Sequence, residues 1–413
     1  MKRFLVFSLC MMLIMTSVFA GGASEQESGP VTLRIWHRWS GVNDTRLNEI
    51  VQNFEAKNPD IKVEVTSKPG EYIDLLQQMI ADLAAGNNPP DILLGGYNLM
   101  NYIATELKPN HIDKIASSAD AYKSLTDRFD PAILNLGMVD GDMVCVPFCM
   151  SNMVMFVNMD ILREAGLTEA DIPETWDDVF KVGSIIKSKT DKYTVSMQNL
   201  DTWPDLTLIF SNGGKLLNDD NTKVAFNNTE AVEAIEMWQK LYSEGLIPIC
   251  TDNELFADFV AGEIAFYCGS CMKLSSISSS VNFDLSVAKV PAFKGKQRAL
   301  PAGGSGIFNF SKDKAHQDAA WRFIEYATSQ EAMEIFAKTG YLSVTKDEVQ
   351  VNPGQEAAYE SVPYAVPWLC WPGGSTGMEI DRLYYNVRTN CLFNGADVQS
   401  SFDKAVADFN KML

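Results

Sequence analysis

Histidine is almost absent: His37, His111 and His316 are the only three in 413 residues, and they are scattered. A zinc site built on imidazoles is therefore not expected. Basic residues are in deficit too, 34 Lys and Arg against 53 Asp and Glu, for a formal net charge of −19. A surface of that sign repels phosphate backbones and anionic lipid, which argues against nucleic-acid binding. After the first twenty residues no apolar run approaches the ~18 residues of a membrane span. A zinc-binding His pair and a phosphate-cradling P-loop are both missing. The sequence implies no cofactor.

The one long apolar run lies at the start. Lys2 and Arg3 precede a nearly unbroken apolar stretch from Phe4 to Val18, and Val18-Phe19-Ala20 ends in small-residue cleavage chemistry before Gly21. Charge, apolar core and small residue in that order predict a cleavable signal peptide over residues 1–20. A lipid anchor needs a cysteine at the cleavage point, and Cys10 comes too early. The expectation is a soluble mature chain from Gly21, retained in a periplasm. Residues 21–30 are small and polar and read as a flexible leader. Loss of Lys2 and Arg3 leaves 32 bases against 53 acids, a net of −21.

Eight cysteines become seven after cleavage, so at least one is unpaired in a monomer. Cys145/Cys149 and Cys268/Cys271 are the close pairs. The second has redox spacing, yet it ends an apolar strand-like run from Ile264 without a thioredoxin setting, and buried thiols are expected. The mature chain, roughly 390 residues, is long enough for two or three domain-sized units.

Strand and helix signals alternate. Val31–Trp36 alternates faces, and Leu47, Ile50, Val51 and Phe54 repeat at helical spacing over 44–57. Asn58-Pro59-Asp60 stops that helix, Ile61–Thr66 is a second strand, and Tyr72–Ala85 a second amphipathic helix. Gly86–Pro90 breaks it before a short buried strand at Asp91–Gly95. Such a β-α-β-α-β run predicts a sheet flanked by helices. The grammar recurs later: a strand at Val154–Val157, a short helix from Asp160 closed by Gly166, and a helix opened by Pro173-Glu-Thr-Trp176. Residues 213–226 read as a hairpin around Asn218-Asp-Asp-Asn221, which lacks the glycine and distal glutamate of a calcium loop. Asn228-Thr229 caps a helix over Glu230–Ser243.

Several segments together resemble a known family. They are Ile35-Trp36-His37 with Gly41, Asn58-Pro59-Asp60-Ile-Lys-Val, Gly86-Asn-Asn-Pro-Pro-Asp91-Ile and Pro147–Asn158. Further along come Phe256–Phe266, Gly303-Gly-Ser-Gly306 and Thr339-Gly-Tyr-Leu342. In this order and spacing the chain resembles the extracellular solute-binding proteins of ABC importers, the carbohydrate-type family that includes maltose- and glycerol-3-phosphate-binding proteins. The resemblance implies the α/β periplasmic-binding-protein fold: two α/β lobes joined by crossover strands, with a ligand cleft between them that closes by hinge motion. Crossings are expected near 147–151, 289–291 and 342–345. Lobe one would be 31–148 with 292–342, and lobe two 152–288 with 346–413. The cleft residues should come from loops at strand ends.

Aromatic rings stack on the C–H faces of sugars, and amides, carboxylates and Arg pair their hydroxyls. Loop placement selects Trp39, Tyr97, Trp203 and Trp371 as candidates, with Tyr72 opening the second helix. The glycerol-3-phosphate branch implies Tyr72 and a phosphate shell at Ser151, Ser270, Gly304, Tyr341 and Arg382. Tyr97 stands where that branch has a carboxylate. The maltose-type branch is similar to Leu383–Thr389 with Asn394-Gly395, yet Met272 stands where its stacking tryptophan is expected. These matches favour a neutral or modified sugar, with glycerol-3-phosphate or a glycerophosphodiester second. Partners would be that small molecule and ABC permease subunits, with the protein a monomer because the cleft must hinge. An exported glycoside hydrolase is the remote alternative. Its carboxylate pairs (Asp140/Asp142, Asp177/Asp178, Asp219/Asp220) fall in turns and exposed helix starts.

Overall fold

Residues 29–199 and 201–413 are described by the structure, a computed structural model. The expected signal peptide and all but the end of the leader lie outside the described residues.

Two sheets organise the chain. The first is laid down by β1 (Val31–His37), β2 (Ile61–Ser67) and β3 (Ile92–Gly96), with α1 (Gly41–Lys57) and α2 (Tyr72–Ala84) as crossovers. Strand β4 (Val146–Ser151) and a late strand, β9 (Gly303–Asn309), complete it in the order β2-β1-β3-β9-β4. Only β9 runs antiparallel to its neighbours. The second sheet has the order β8-β5-β7-β6, from β5 (Met153–Asn158), β6 (Tyr193–Met197), β7 (Ile264–Ser270) and β8 (Leu285–Lys289). Strands β3, β4, β5, β7 and β9 are buried throughout. Sheets covered by helices on both faces need such continuous apolar runs.

Each sheet is the centre of an α/β lobe. The chain passes between them with little slack: β4 and β5 are separated by Asn152 alone, which is fully buried and donates to the Ala358 carbonyl at 2.8 Å. It returns between Lys289 and Gly303, through a short pairing of Leu300–Pro301 with Ala365–Val366. Helices α7 (Lys314–Ala327) and α8 (Gln330–Ala337) then pack on the first lobe, where Leu342 bridges Met150. The C-terminal pair, α9 (Ser375–Asn394) and α10 (Val398–Phe409), packs on α5 (Thr229–Ser243) of the second lobe, where α6 (Asp252–Val260) packs on β7.

Local chemistry explains the boundaries. Thr175 and Asp178 form a reciprocal capping box at the start of α3 (Trp176–Lys189). Gly166 at φ 75° ends the short helix Met159–Glu164. Helix α1 begins at Gly41 rather than 44, because apolar spacing marks only the buried face and not the first turn. The 213–226 hairpin is narrower than the sequence suggests, a single bridge between Leu217 and Val224 around a turn whose Asn218 side chain accepts from Thr222 and Lys223 amides. All seven described cysteines are free thiols, Cys268 and Cys271 included. Burial pushes the Cys149 and Cys271 thiols up to about 12, which keeps them protonated and unreactive.

Candidate functional site

The strand ends of both sheets converge on one cleft between the lobes, a space of about 480 Å³ that is partly open to solvent. Its walls follow from topology. The parallel strands deliver their carboxyl ends there, and β9, running the other way, delivers its start. Arg38 follows β1, Asn98 follows β3 and the short helix turn at Tyr97, and Ser151 ends β4. Gln198 follows β6, Ser270 ends β7, and Gly303 and Gly304 open β9. Glu71 and Tyr72 start α2, Asp201 and Trp203 start α4 (Trp203–Ser211), and Met272, Tyr341 and Trp368 come from connecting segments. Ligands of open α/β sheets bind at such strand ends.

Of the ten residues singled out in the sequence, the fold brings seven to this cavity: Tyr72, Tyr97, Ser151, Trp203, Ser270, Gly304 and Tyr341. Trp39, Trp371 and Arg382 are placed elsewhere. Trp39 is buried behind the wall, where its indole N–H donates to the Tyr341 hydroxyl at 3.2 Å. Trp371 packs on Tyr384 and donates to Asp381 at 2.7 Å. Arg382 is exposed and pairs with Glu379 one helical turn away, so its charge faces solvent. Sequence reasoning missed Arg38, Glu71, Asn98, Gln198, Asp201, Met272, Gly303 and Trp368 as wall residues. Four of the eight, Arg38, Glu71, Asn98 and Gly303, adjoin a residue that was chosen, so the sequence marked those segments but not which side chain turns inward.

Two glycines shape the first-lobe wall. A Cβ at Gly304, where φ is +118°, would stand 2.2 Å from the Cys149 carbonyl oxygen. A Cβ at Gly96 would stand 2.6 Å from the Tyr72 ring, so that ring lies directly against the end of β3. Some of the hydroxyls on this wall are engaged and some are not. Tyr97 donates to the Cys149 carbonyl at 3.2 Å, while the Tyr72 hydroxyl is buried without a hydrogen-bond partner. Arg38 lies over the Tyr72 ring at 4.8 Å and bonds Glu71 at 2.8 Å. Burial raises Glu71 above the usual carboxylate range, opposed by the Arg38 charge.

The second-lobe wall carries the aromatic face. Trp203 is anchored by its indole N–H to the Pro301 carbonyl at 2.7 Å, and Trp368 stacks on it with centroids 6.0 Å apart and planes 12° from parallel. Gln198 accepts from the Ser270 amide at 3.3 Å. Asp201 accepts from the Trp203 amide at 2.9 Å. Burial raises Asp201 to about 7, with Asp381, Glu71 and Asp205 adding like charge. Among the described residues no cluster of three or more metal-ligating side chains occurs. The arrangement offers an apolar ring face, amide and hydroxyl partners, one compensated cation and one carboxyl.

Comparison with known proteins agrees with this geometry. The family model described as bacterial extracellular solute-binding protein matches residues 39–334. The sn-glycerol-3-phosphate-binding periplasmic protein UgpB of Escherichia coli (strain K12) is 26% identical over 92% of each chain. Two solved structures share the fold: the cyclic alpha-maltosyl-1,6-maltose binding protein from Arthrobacter globiformis and UgpB from Mycobacterium tuberculosis in complex with glycerophosphocholine. The first has a TM-score of 0.79 at 24% identity, covering 93% of this chain and 99% of that one. The second has a TM-score of 0.80 at 20% identity, covering 93% and 98%. A matched model spanning well over half the residues, on a two-lobed fold shared along nearly the whole chain, places this protein in the family of bacterial extracellular solute-binding proteins.

Proposed function

We propose that this protein, a solute-binding component of an ABC importer and not an enzyme, captures a neutral or modified sugar in the interlobe cavity and hands it to the membrane permease. The observation that carries this reading is the charge of the wall. Its one arginine, Arg38, is already paired with Glu71, while Trp368 on Trp203 supplies a stacking face and Asn98, Ser151, Gln198, Ser270 and Asp201 supply hydroxyl partners. Such a set suits polyols better than a phosphate dianion, which wants uncompensated cationic donors. Closing of the lobes, drawn as 31–148 with 292–342 and 152–288 with 346–413, would enclose the sugar. Export by the expected signal peptide would carry the protein to the periplasm. No helix among the described residues is long and apolar enough to cross a membrane.

Glycerol-3-phosphate or a glycerophosphodiester is the second reading. It is favoured by the convergence of Ser151, Ser270, Gly304, Tyr72 and Tyr341, and by the relatives named for such ligands. The position of Arg382 on the solvent face counts against it. Thermal unfolding against a panel of sugars and glycerol phosphates separates the two. A ligand at 1,000 times its dissociation constant adds about 4 kcal/mol. Stabilisation by a sugar and not by glycerol phosphate supports the first reading, and the reverse overturns it.

A further inference from the structure

Beneath the second-lobe wall lies a charge arrangement that sugar recognition alone does not require. Arg388 and Asp205 are both fully buried, with Nε and Oδ1 3.3 Å apart. Arg388 also donates to the Asn199 side chain and, at 3.3 Å, to the main-chain oxygen of Asp201. Its guanidinium is sandwiched by Trp238 and Tyr385 at 5.0 and 4.4 Å. Asp205 accepts from the Tyr384 hydroxyl at 3.2 Å, while its Oδ2 is buried without a hydrogen-bond partner. Asp381 accepts from Trp371 at 2.7 Å and from Thr202 at 3.0 Å. The guanidinium pairs with the Asp205 carboxyl, and Asp201 and Asp381 add like charge beside that pair.

Like charges in a low-dielectric site cannot all ionise without cost. The donors decide which carboxyl holds a proton. Asp205 has the guanidinium and a phenol, and Asp381 has an indole and a hydroxyl. Asp201 has one main-chain amide donor among the described residues, and it also faces Glu71 across the cleft. It is the least stabilised anion of the three, and it is the one that lines the cavity. The charged groups around it are Asp205, Asp381 and Arg388 from the second lobe and Glu71 and Arg38 from the first.

We propose that Asp201 is a specificity-determining residue that accepts a hydroxyl of the captured solute and, in doing so, releases its proton to solvent from beside the buried Asp205–Arg388 pair. This rests on the reading that the cavity takes a polyhydroxyl ligand. A hydroxyl donated to the carboxylate stabilises its charged form, so binding lowers the Asp201 pKa and affinity rises with pH. An anionic ligand reverses the sign, because it requires the protonated acid. The same group thus favours neutral polyols as pH rises.

The first test needs no ligand. The Trp203 amide bonds Asp201, and Trp368 stacks on Trp203, so intrinsic tryptophan fluorescence of the purified protein should report the titration. A transition between pH 5 and 8.5 is expected in the wild type. It should be absent in Asp201→Asn and moved to lower pH in Asp381→Asn, which removes a like charge outside the cavity. A flat wild-type signal, or a transition unchanged in Asp201→Asn, overturns the proposal whatever the ligand. Calorimetry with maltose and with glycerol-3-phosphate at pH 5.5 and 8 is the second arm. Maltose affinity should rise about tenfold with net proton release, and Asp201→Asn should flatten both. Maltose binding that is independent of pH overturns the coupling. Binding of glycerol-3-phosphate alone retires the sugar reading, and with it the hydroxyl role of Asp201, while the ligand-free transition still decides whether Asp201 holds the proton.

Discussion

On the first-lobe wall of the cavity, three polar groups are tied to the protein before any ligand arrives, while the Tyr72 hydroxyl is left without a partner. Arg38 is held by Glu71, the Tyr97 hydroxyl by a main-chain carbonyl, and the Tyr341 hydroxyl by the Trp39 indole. The second-lobe wall is backed by buried ionisable groups, with Asp201 standing over Asp205, Asp381 and Arg388. One lobe presents fixed shape and fixed dipoles, and the other a carboxyl whose charge depends on its neighbours. The division follows from what lies underneath. The first-lobe wall rests on β3, β4 and β9, buried strands with little room for charge. The second-lobe wall rests on the start of α4 against α9, where two helix surfaces can enclose side chains as long as arginine.

The comparison breaks most sharply at Arg388. Arg388→Ala leaves Asp205 buried without its cation and should cost about 3–5 kcal/mol of stability, seen as a large drop in thermal unfolding temperature. A drop no larger than that of a surface variant would mean the second-lobe wall is not organised by this pair. Next is Gly304→Ala on the other wall. With a positive φ and a carbonyl 2.2 Å from the new Cβ, about 1–3 kcal/mol of strain is expected, together with loss of ligand-induced stabilisation. Retention of both would show that the start of β9 can yield. Third, Trp368→Ala should weaken sugar affinity about tenfold while Trp368→Phe keeps most of it, as measured by calorimetry.

A fourth prediction concerns pH. Asp201 and Asp205 are raised by burial to about 7 and about 6, above ordinary carboxyls. Their contribution to stability is therefore present in full below the ordinary value and is lost as pH rises through the raised ones. The ligand-free protein should unfold at lower temperature at pH 8 than at pH 5, and Asp201→Asn should shrink the difference. An unfolding temperature that rises over that range contradicts the assignment. The smallest effect is at Arg382→Ala: no measurable change in ligand affinity is expected, because the side chain is exposed and bonded to Glu379. A clear loss of affinity would return that arginine to the site.

The contrast between Arg382 and Arg388 also shows where sequence reading stops. Strand alternation and helical spacing give the β-α-β order directly, since each reports a face that is buried. Tyr72 was legible at a helix start, while Ser151, Ser270 and Gly304 came from the family resemblance; the fold sets these three at strand ends, where the chain must meet the cleft. Arg388 shares the buried stripe of α9 with Ile380, Tyr384 and Cys391, and Arg382 does not. That periodicity was available in the sequence, and it separates the buried arginine from the exposed one. The loop at 367–371 offers no such period: Trp368 faces the cavity and Trp371 the core beneath, a choice made by tertiary packing on Trp203 and Tyr384. Asp201 escaped for the same reason, because its meaning depends on Asp381 and Arg388, nearly two hundred residues away along the chain.

The most direct test of the account is a crystal structure of the protein grown with the sugar that stabilises it best. The account predicts a sugar ring stacked on Trp368, with hydroxyls on Ser151, Ser270 and Asp201 and Arg38 still paired to Glu71. A ligand lodged outside this cavity, or an anionic group that has displaced Glu71 from Arg38, would contradict it.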